Sequence, residues 1–504
     1  MNEKYKYLGK NTLLFTISSF GTKILSFFLI PLYTNVLTTA EYGTADLITT
    51  TATLLVFILT LNISDGVLRY ALDIHNGVPK DKIVQGGVIV RSGDSENSGE
   101  AQRDLDQEAI LSYGNRIIIV GTLVCVLGLG AIAFSGLVDW PLRYFLYIAL
   151  YFFASAFYQM MSNYLRAIDK VAAVAVAGVL SSLITIICNI VFLLVIRLGI
   201  DGYILAMVIG PAISAAYCMV VAGAPAKTYL VNSCSKAMEG EMRKYCIPLI
   251  FNNIALWSNA FIDRYFVTLI CGIDANGVYS VATKIPVILA TCYTVFGQAW
   301  NLSAIKEFDP EDSDGFFSKT YEGISAILCS LCSLLILFNL PLAHILYAKD
   351  FFSAWQYSSV LLVYVLFDSF AMLVAGVYSA VKKTNIIATS TVISSICNIA
   401  LNFALIPVLG PLGAAIATDV AYCVMWVIRV VYVEKYMRLR LHLGLDCCVY
   451  GLITLQIIFE HLPEHFYMGQ ITCLLLILIL SRKELKAVAR PVKSLIRSKI
   501  KKTR

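Results

Sequence analysis

The chain has 504 residues, 58% of them hydrophobic and 14% charged, with a net charge of +6. Soluble globular proteins carry charge at roughly a quarter of positions, so this composition excludes a water-soluble enzyme or binding module and identifies an integral membrane protein. The excess of basic residues lies mainly between apolar blocks and at the C-terminus, where contact with anionic lipid accounts for it without nucleic acid.

Residues 11–33 hold one basic residue, Lys23, and are too long for the apolar core of a signal peptide. No small-residue cleavage site follows, so no cleavable leader is expected. Hydropathy, interrupted by Pro, Gly and charge, predicts fourteen spans at about 11–33, 44–68, 115–137, 142–164, 171–196, 203–223, 246–270, 278–301, 320–340, 357–380, 385–408, 412–433, 443–459 and 467–481. The expected fold is therefore an all-α membrane protein of about 14 transmembrane helices. With the N-terminus inside, roughly 31 of the 39 Lys and Arg fall in cytoplasmic segments and about 3 outside (Arg143, Arg197, Lys349). This places both termini in the cytoplasm.

After the second span, residues 72–112 are mixed-charge and rich in Gly and Ser. They predict a disordered cytoplasmic loop, with docking of a cytosolic partner as the alternative. The fourteen cysteines lie mostly within apolar blocks and read as small buried hydrophobes. Cys329 and Cys332 form a C-x-x-C in mid-span, without a second pair or flanking histidines, and are assigned to packing. His461 and His465 are spaced i,i+4 but straddle a proline, so no metal site is expected there. Residues 482–504 form a basic cytoplasmic tail with ten Lys and Arg and one Glu.

The chain also repeats itself. At an offset of 213 positions, Ala167 falls on Ala380, Lys170 on Lys383, Ser181 and Ser182 on Ser394 and Ser395, and Asn189 on Asn402. "TTAEYGTADL" corresponds to "IDANGVYSVATK", with Gly43 matching Gly277. These matches predict two pseudo-symmetric six-helix lobes in the same orientation: an N-lobe over 1–224, containing the polar loop, and a C-lobe over 240–434. Helices 13 and 14 follow over 443–481. Parallel repeats of this kind are the architecture of rocking transporters, with a substrate site between the halves.

A charge inside a membrane helix costs about 2.5–3.5 kcal/mol, so each one calls for a partner, a wet cavity or an interface. The spans contain Lys23, Asp65, Arg69, Asp263, Arg264, Lys284, Asp368, Asp419 and Arg429. Lys23 lies about 15 Å from either end of its helix, beyond comfortable snorkelling. Asp263 and Arg264 are adjacent, point about 100° apart and cannot simply pair with each other. Lys284 lies about two turns below the outer surface. Asp368 is deep and lone, and with Asp65 and Asp263 is a candidate ion-coupling or structural carboxylate. Arg69 stands at the cytoplasmic mouth with Asp65 one turn deeper, either as an interfacial ion pair or as an entrance for an anion that Asp65 keeps oriented. Asp419 and Arg429 are expected to be structural.

The stretches "LGKNTLLFTISSFGTKILSFFLIPLYTNVLTTAEYGTADL", "RYALD", "DRYFV", "GVYSVATKIP" and "NFALIPVLGPLGAAIATDVAY" together resemble the polysaccharide transporters, the Wzx-type oligosaccharide flippases of the multidrug/oligosaccharidyl-lipid/polysaccharide flippase superfamily. The resemblance covers nearly the whole chain. It implies a cationic central cavity that receives an undecaprenyl-diphosphate-linked oligosaccharide from the inner leaflet of the cell membrane and releases it outside by alternating access. The positions matching such cavity charges are Lys23, Asp65, Arg69, Asp263, Arg264 and Lys284, with Lys23, Arg69, Arg264 and Lys284 as the substrate-binding cations. The implied partners are the polyprenyl-diphosphate-linked oligosaccharide, membrane lipids, and polysaccharide polymerase or glycosyltransferases. No cofactor and no enzymatic activity are implied. The long loop around Ser92 to Glu108 departs from the usual pattern. A lipid II flippase and a multidrug cation exporter are the nearest alternatives; a membrane glycosyltransferase or polymerase fits less well, because the outer segments are short.

Overall fold

The computed structural model describes residues 27–76 and 96–488 apart from 137, 139, 226–227, 230–232, 307, 440 and 463–465. Lys23, most of the first expected span, His465 and the tail beyond Val488 therefore lie outside the described residues. Helices account for nearly all of the rest: α1 (Ile30–Val36), α2 (Thr39–Leu59), α3 (Ile63–His75), α4 (Glu96–Ser135), α5 (Leu142–Ala167), α6 (Val171–Ile190, continued by a π turn Val191–Val195) and α7 (Ile200–Ala222). Then come α8 (Lys236–Cys271), α9 (Ile273–Ala282), α10 (Pro286–Lys306), α11 (Phe316–Leu337), α12 (Asn339–Leu346), a 3-10 turn (Lys349–Ala354), α13 (Trp355–Ala380), α14 (Thr384–Leu409), α15 (Pro411–Val433), α16 (Leu443–His461) and α17 (Tyr467–Leu480). Among the described residues ten helices are long and apolar enough to cross a membrane, and α17 is a shorter apolar one. The chain is a multi-pass membrane protein.

Three expectations need correction. The second span, read as one helix over 44–68, is two. Leu61 and Asn62 both adopt positive φ, 53° and 52°, which ends α2 and restarts the chain as α3; asparagine tolerates this conformation better than most residues. The eighth span, read as 278–301, is also broken. Pro286 has no N–H to continue the helix of α9 and restricts the residue before it, so Thr283–Ile285 form a turn that carries Lys284. Finally, the expected disordered loop over 72–112 is helical from Glu96 and up to His75. Its apolar residues Ile110 and Leu111 are buried, and Gln107 Nε2 donates to the Ala71 carbonyl at 3.3 Å. The charged and Gly/Ser residues masked this pattern.

The chain folds as two compact bodies, one formed by residues up to Leu37 and Thr44–Trp257, the other by Thr38–Gly43 and Ser258 onward. In the first body α3 packs on α5, α5 on α7, and α6 on α7. In the second, α15 packs on α13 and α14, and α11 contacts α13, α16 and α17. Its core joins Leu289, Trp300, Phe370 and Tyr378 with Cys329 and Cys332, so the C-x-x-C pair is packed among apolar side chains.

The first turn of α2 belongs to the second body, where the two glycines matched by the internal repeat meet. A Cβ on Gly277 would lie 2.0 Å from the Thr39 carbonyl oxygen, and one on Gly43 would lie 2.3 Å from that of Ile273. Glycine is needed at both positions because backbone approaches backbone. Thr39 Oγ1 donates to Asp274 Oδ1 at 2.6 Å and Asn276 Nδ2 to the Gly43 carbonyl at 3.1 Å, completing the junction.

Candidate functional site

In the first body the expected Asp65–Arg69 pair is replaced by another. Asp65 sits in the first turn of α3, where Asn62 Nδ2 donates to its Oδ2 at 2.8 Å and Asn163 Nδ2 to its Oδ1 at 3.4 Å. Arg69 has a carboxylate one turn away on either side, and with Asp65 engaged it pairs with Asp73, Nε to Oδ2 at 3.2 Å. The Arg69 side chain is 55% exposed. Such an exposed i,i+4 pair contributes about 0.3–0.5 kcal/mol, which leaves the guanidinium free to exchange partners. Asp65 therefore fixes the break before α3 and does not orient Arg69.

Three of the expected site residues lie in the second body, Asp263 and Arg264 on α8 and Asp368 on α13. Asp263 is almost wholly buried and accepts three hydrogen bonds: from Tyr279 Oη at 2.9 Å, Thr418 Oγ1 at 2.8 Å and Asn402 Nδ2 at 3.4 Å. Asn402 Nδ2 also donates to Asn398 Oδ1 at 2.9 Å, and Asn398 Nδ2 to Thr418 Oγ1 at 3.3 Å. Asn402 Oδ1 is buried with no hydrogen-bond donor among the described residues. Such an oxygen costs free energy unless a cation, a proton or water meets it. The group thus offers one carboxylate, two amide oxygens and a hydroxyl from α8, α14 and α15. Hard oxygen donors of this kind suit a small cation or a proton. Among the described residues no set of three His, Cys, Asp or Glu is placed to hold a metal ion.

Arg264, the next residue, lays its guanidinium over the Phe261 ring, 4.8 Å from the centroid. Tyr364 on α13 lies within electrostatic reach of Asp368, Arg264, Asp263 and Asp419 together. Asp368 itself makes no hydrogen bond or ion pair among the described residues, and the charge that acts on it is Arg429. Lys284 occupies the turn between α9 and α10, partly buried, and among the described residues its ammonium makes no hydrogen bond or ion pair.

Arg429 is structural, as expected, and more heavily engaged than its place near a helix end implied. It is 0% exposed. Its guanidinium donates to Ser390 Oγ (2.9 Å), the Ala371 carbonyl (3.0 Å), Thr391 Oγ1 (3.0 Å) and the Ile387 carbonyl (3.4 Å). Tyr378 Oη donates to its carbonyl at 2.6 Å. One side chain thus ties α15 to α13 and α14.

Asn398, Asn402, Thr418 and Tyr279 were not singled out as site residues. The repeat had marked Asn402, and the i,i+4 spacing of Asn398 and Asn402 on an apolar helix was a readable signal. Nothing in the sequence ties Tyr279 or Thr418 to Asp263.

No protein-family profile and no curated protein sequence matches the chain. Solved structures do. A lipid II flippase MurJ in an inward closed conformation aligns over 95% of this chain and 100% of its own, with a TM-score of 0.65 at 14% identity. A multidrug resistance MATE family transporter of the MOP superfamily aligns in its inward-facing conformation (TM-score 0.55, 14% identity, 82% of this chain and 98% of that one). A MATE transporter also aligns in an outward-facing conformation (0.56, 12% identity, 87% and 95%). The chain has the fold shared by these flippases and transporters of the MOP superfamily.

Proposed function

We propose that the protein is a flippase that carries polyprenyl-diphosphate-linked oligosaccharide from the inner to the outer leaflet of the cell membrane for surface polysaccharide export. The observation that carries this reading is Lys284, a partly buried cation in the turn between α9 and α10 whose ammonium, among the described residues, no acid or acceptor engages. Even a partly buried ammonium without a partner is costly, and a diphosphate headgroup provides the partner. Arg264, in the same body and held on an aromatic face, supplies a further cation. The sugars need a polar environment and the polyprenyl tail can stay in lipid.

Transport proceeds by alternating access, a reading supported by the match of one fold to both inward- and outward-facing transporters. We assign ion coupling to Asp263 with Asn398, Asn402 and Thr418, because an oxygen-lined, water-poor carboxylate can exchange a cation or proton as the protein changes conformation.

The same fold serves the lipid II flippase and the drug transporters, so the charges decide between them. Asp263, Asp368 and Asp419 favour a cation exporter, whereas Lys284, unpartnered among the described residues, and Arg264 favour an anionic headgroup. In a flippase-deficient strain that exports surface polysaccharide only when complemented, Lys284→Ala and Arg264→Ala are each expected to lower export about 10- to 100-fold, the worth of a charge-assisted hydrogen bond. Membrane levels of the protein should not change. Normal export by both variants would refute the reading.

A further inference from the structure

Beside the loop that joins α10 to α11, the second body holds a cavity of about 870 Å³ with no part in the site above. Phe296, Phe316, Phe317 and Ile324 form apolar wall, and Asp309, Asp312 and Asp314 supply acid. The acids are not equivalent. Asp312 is buried and used up at the start of α11, accepting from the Phe317 and Ser318 N–H groups and from Ser318 Oγ. Glu311, next to it, is paired with Arg438 at 2.9 Å. Asp314 is exposed and Asp309 partly exposed. The Ser313 and Glu311 N–H groups hold Asp309 below the usual carboxylate range, so it stays anionic throughout the physiological range. Lys319 also lines the cavity, with its Nζ directed to the Asp314 carbonyl at 2.7 Å.

Ala487 and Val488 line this same cavity, and residues 489–504 follow directly from it. That segment carries Arg490, Lys493, Arg497, Lys499, Lys501, Lys502 and Arg504 and no acid, with Val492, Leu495, Ile496 and Ile500 at the spacing of one helical face. We propose that residues 489–504 dock in cis on this cavity, apolar side chains against the phenylalanine wall and basic ones against Asp309 and Asp314. Val488, the last described residue, lines the cavity itself, and the charges are complementary. Tethering gives the segment an effective concentration in the millimolar range, so weak pairing is enough to keep it bound and the full chain is the right material for a test. The inference does not depend on the cargo.

Limited trypsin digestion of the full-length, detergent-purified protein, with cleavage after Lys493 and Arg497 followed by mass spectrometry, tests it. Cleavage is expected to be about tenfold faster in Asp309→Asn/Asp314→Asn than in the unaltered chain, because proteolysis tracks the undocked population. Lys499→Glu/Lys501→Glu, which alters only the segment itself, should have the same effect. Equal rates in all three proteins would overturn the proposal. So would protection that appears only when anionic phospholipid vesicles are added and ignores Asp309 and Asp314, which would assign the segment to the lipid surface.

Discussion

Arg429→Ala is expected to destabilise the protein by about 3–5 kcal/mol, the cost of removing one member of a buried charged network, seen as a lowered thermal midpoint in detergent. The guanidinium satisfies two backbone carbonyls and two hydroxyls on α13 and α14. Its loss strips the Ala371 and Ile387 carbonyls of these side-chain donors, deprives the Ser390 and Thr391 hydroxyls of theirs, and removes the cation that acts on Asp368. Lysine keeps the charge but not the planar fork, so Arg429→Lys should fall between alanine and the native protein. A midpoint unchanged in Arg429→Ala would show that α13, α14 and α15 are held by apolar packing alone.

Asp263→Asn is expected to abolish ion-driven transport while leaving the protein folded. The Tyr279 and Thr418 hydroxyls that donate to Asp263 can rotate and accept from an amide, so the hydrogen-bonded ring survives the substitution. The exchangeable negative charge does not. One charge moved across 100 mV supplies about 2.3 kcal/mol, so uncoupling should remove roughly 50-fold of the gradient-driven enhancement. Asp368→Asn, at a carboxylate with no hydrogen bond among the described residues, is the control for a general loss of intramembrane acid. Gradient-dependent transport retained by Asp263→Asn would move the coupling site elsewhere.

Hydropathy made α5 to α7 and α13 to α17 legible to within about a turn, because a membrane span must be apolar along its length whatever it packs against. The breaks were harder to read. Pro286 announced the division of the eighth span, but the positive φ of Leu61 and Asn62 left no stronger mark than one asparagine between apolar residues. The helix from Glu96 was hidden because its exposed residues resemble those of a loop, and the residues it buries, Ile110 and Leu111, fell within the segment read as disordered. The site was legible in its charges and only faintly so in its amides. Asp263 stood out as an intramembrane acid, whereas Asn398, Asn402 and Thr418, from other helices, meet it only after α14 and α15 have packed. The Arg69 pairing was misread for a local reason: Asp65 and Asp73 are equally spaced from it, and Asn62 and Asn163 decide which is available.

The cargo proposed for the protein is a lipid carrying a diphosphate. The most direct measurement is translocation by the purified protein in proteoliposomes of a fluorescent polyprenyl-diphosphate oligosaccharide, read as protection of the label from a membrane-impermeant quencher, with and without an imposed ion gradient. The account predicts translocation that depends on the gradient and is lost in Lys284→Ala. No movement of the diphosphate lipid, together with gradient-driven accumulation of a cationic drug by the same vesicles, would contradict it.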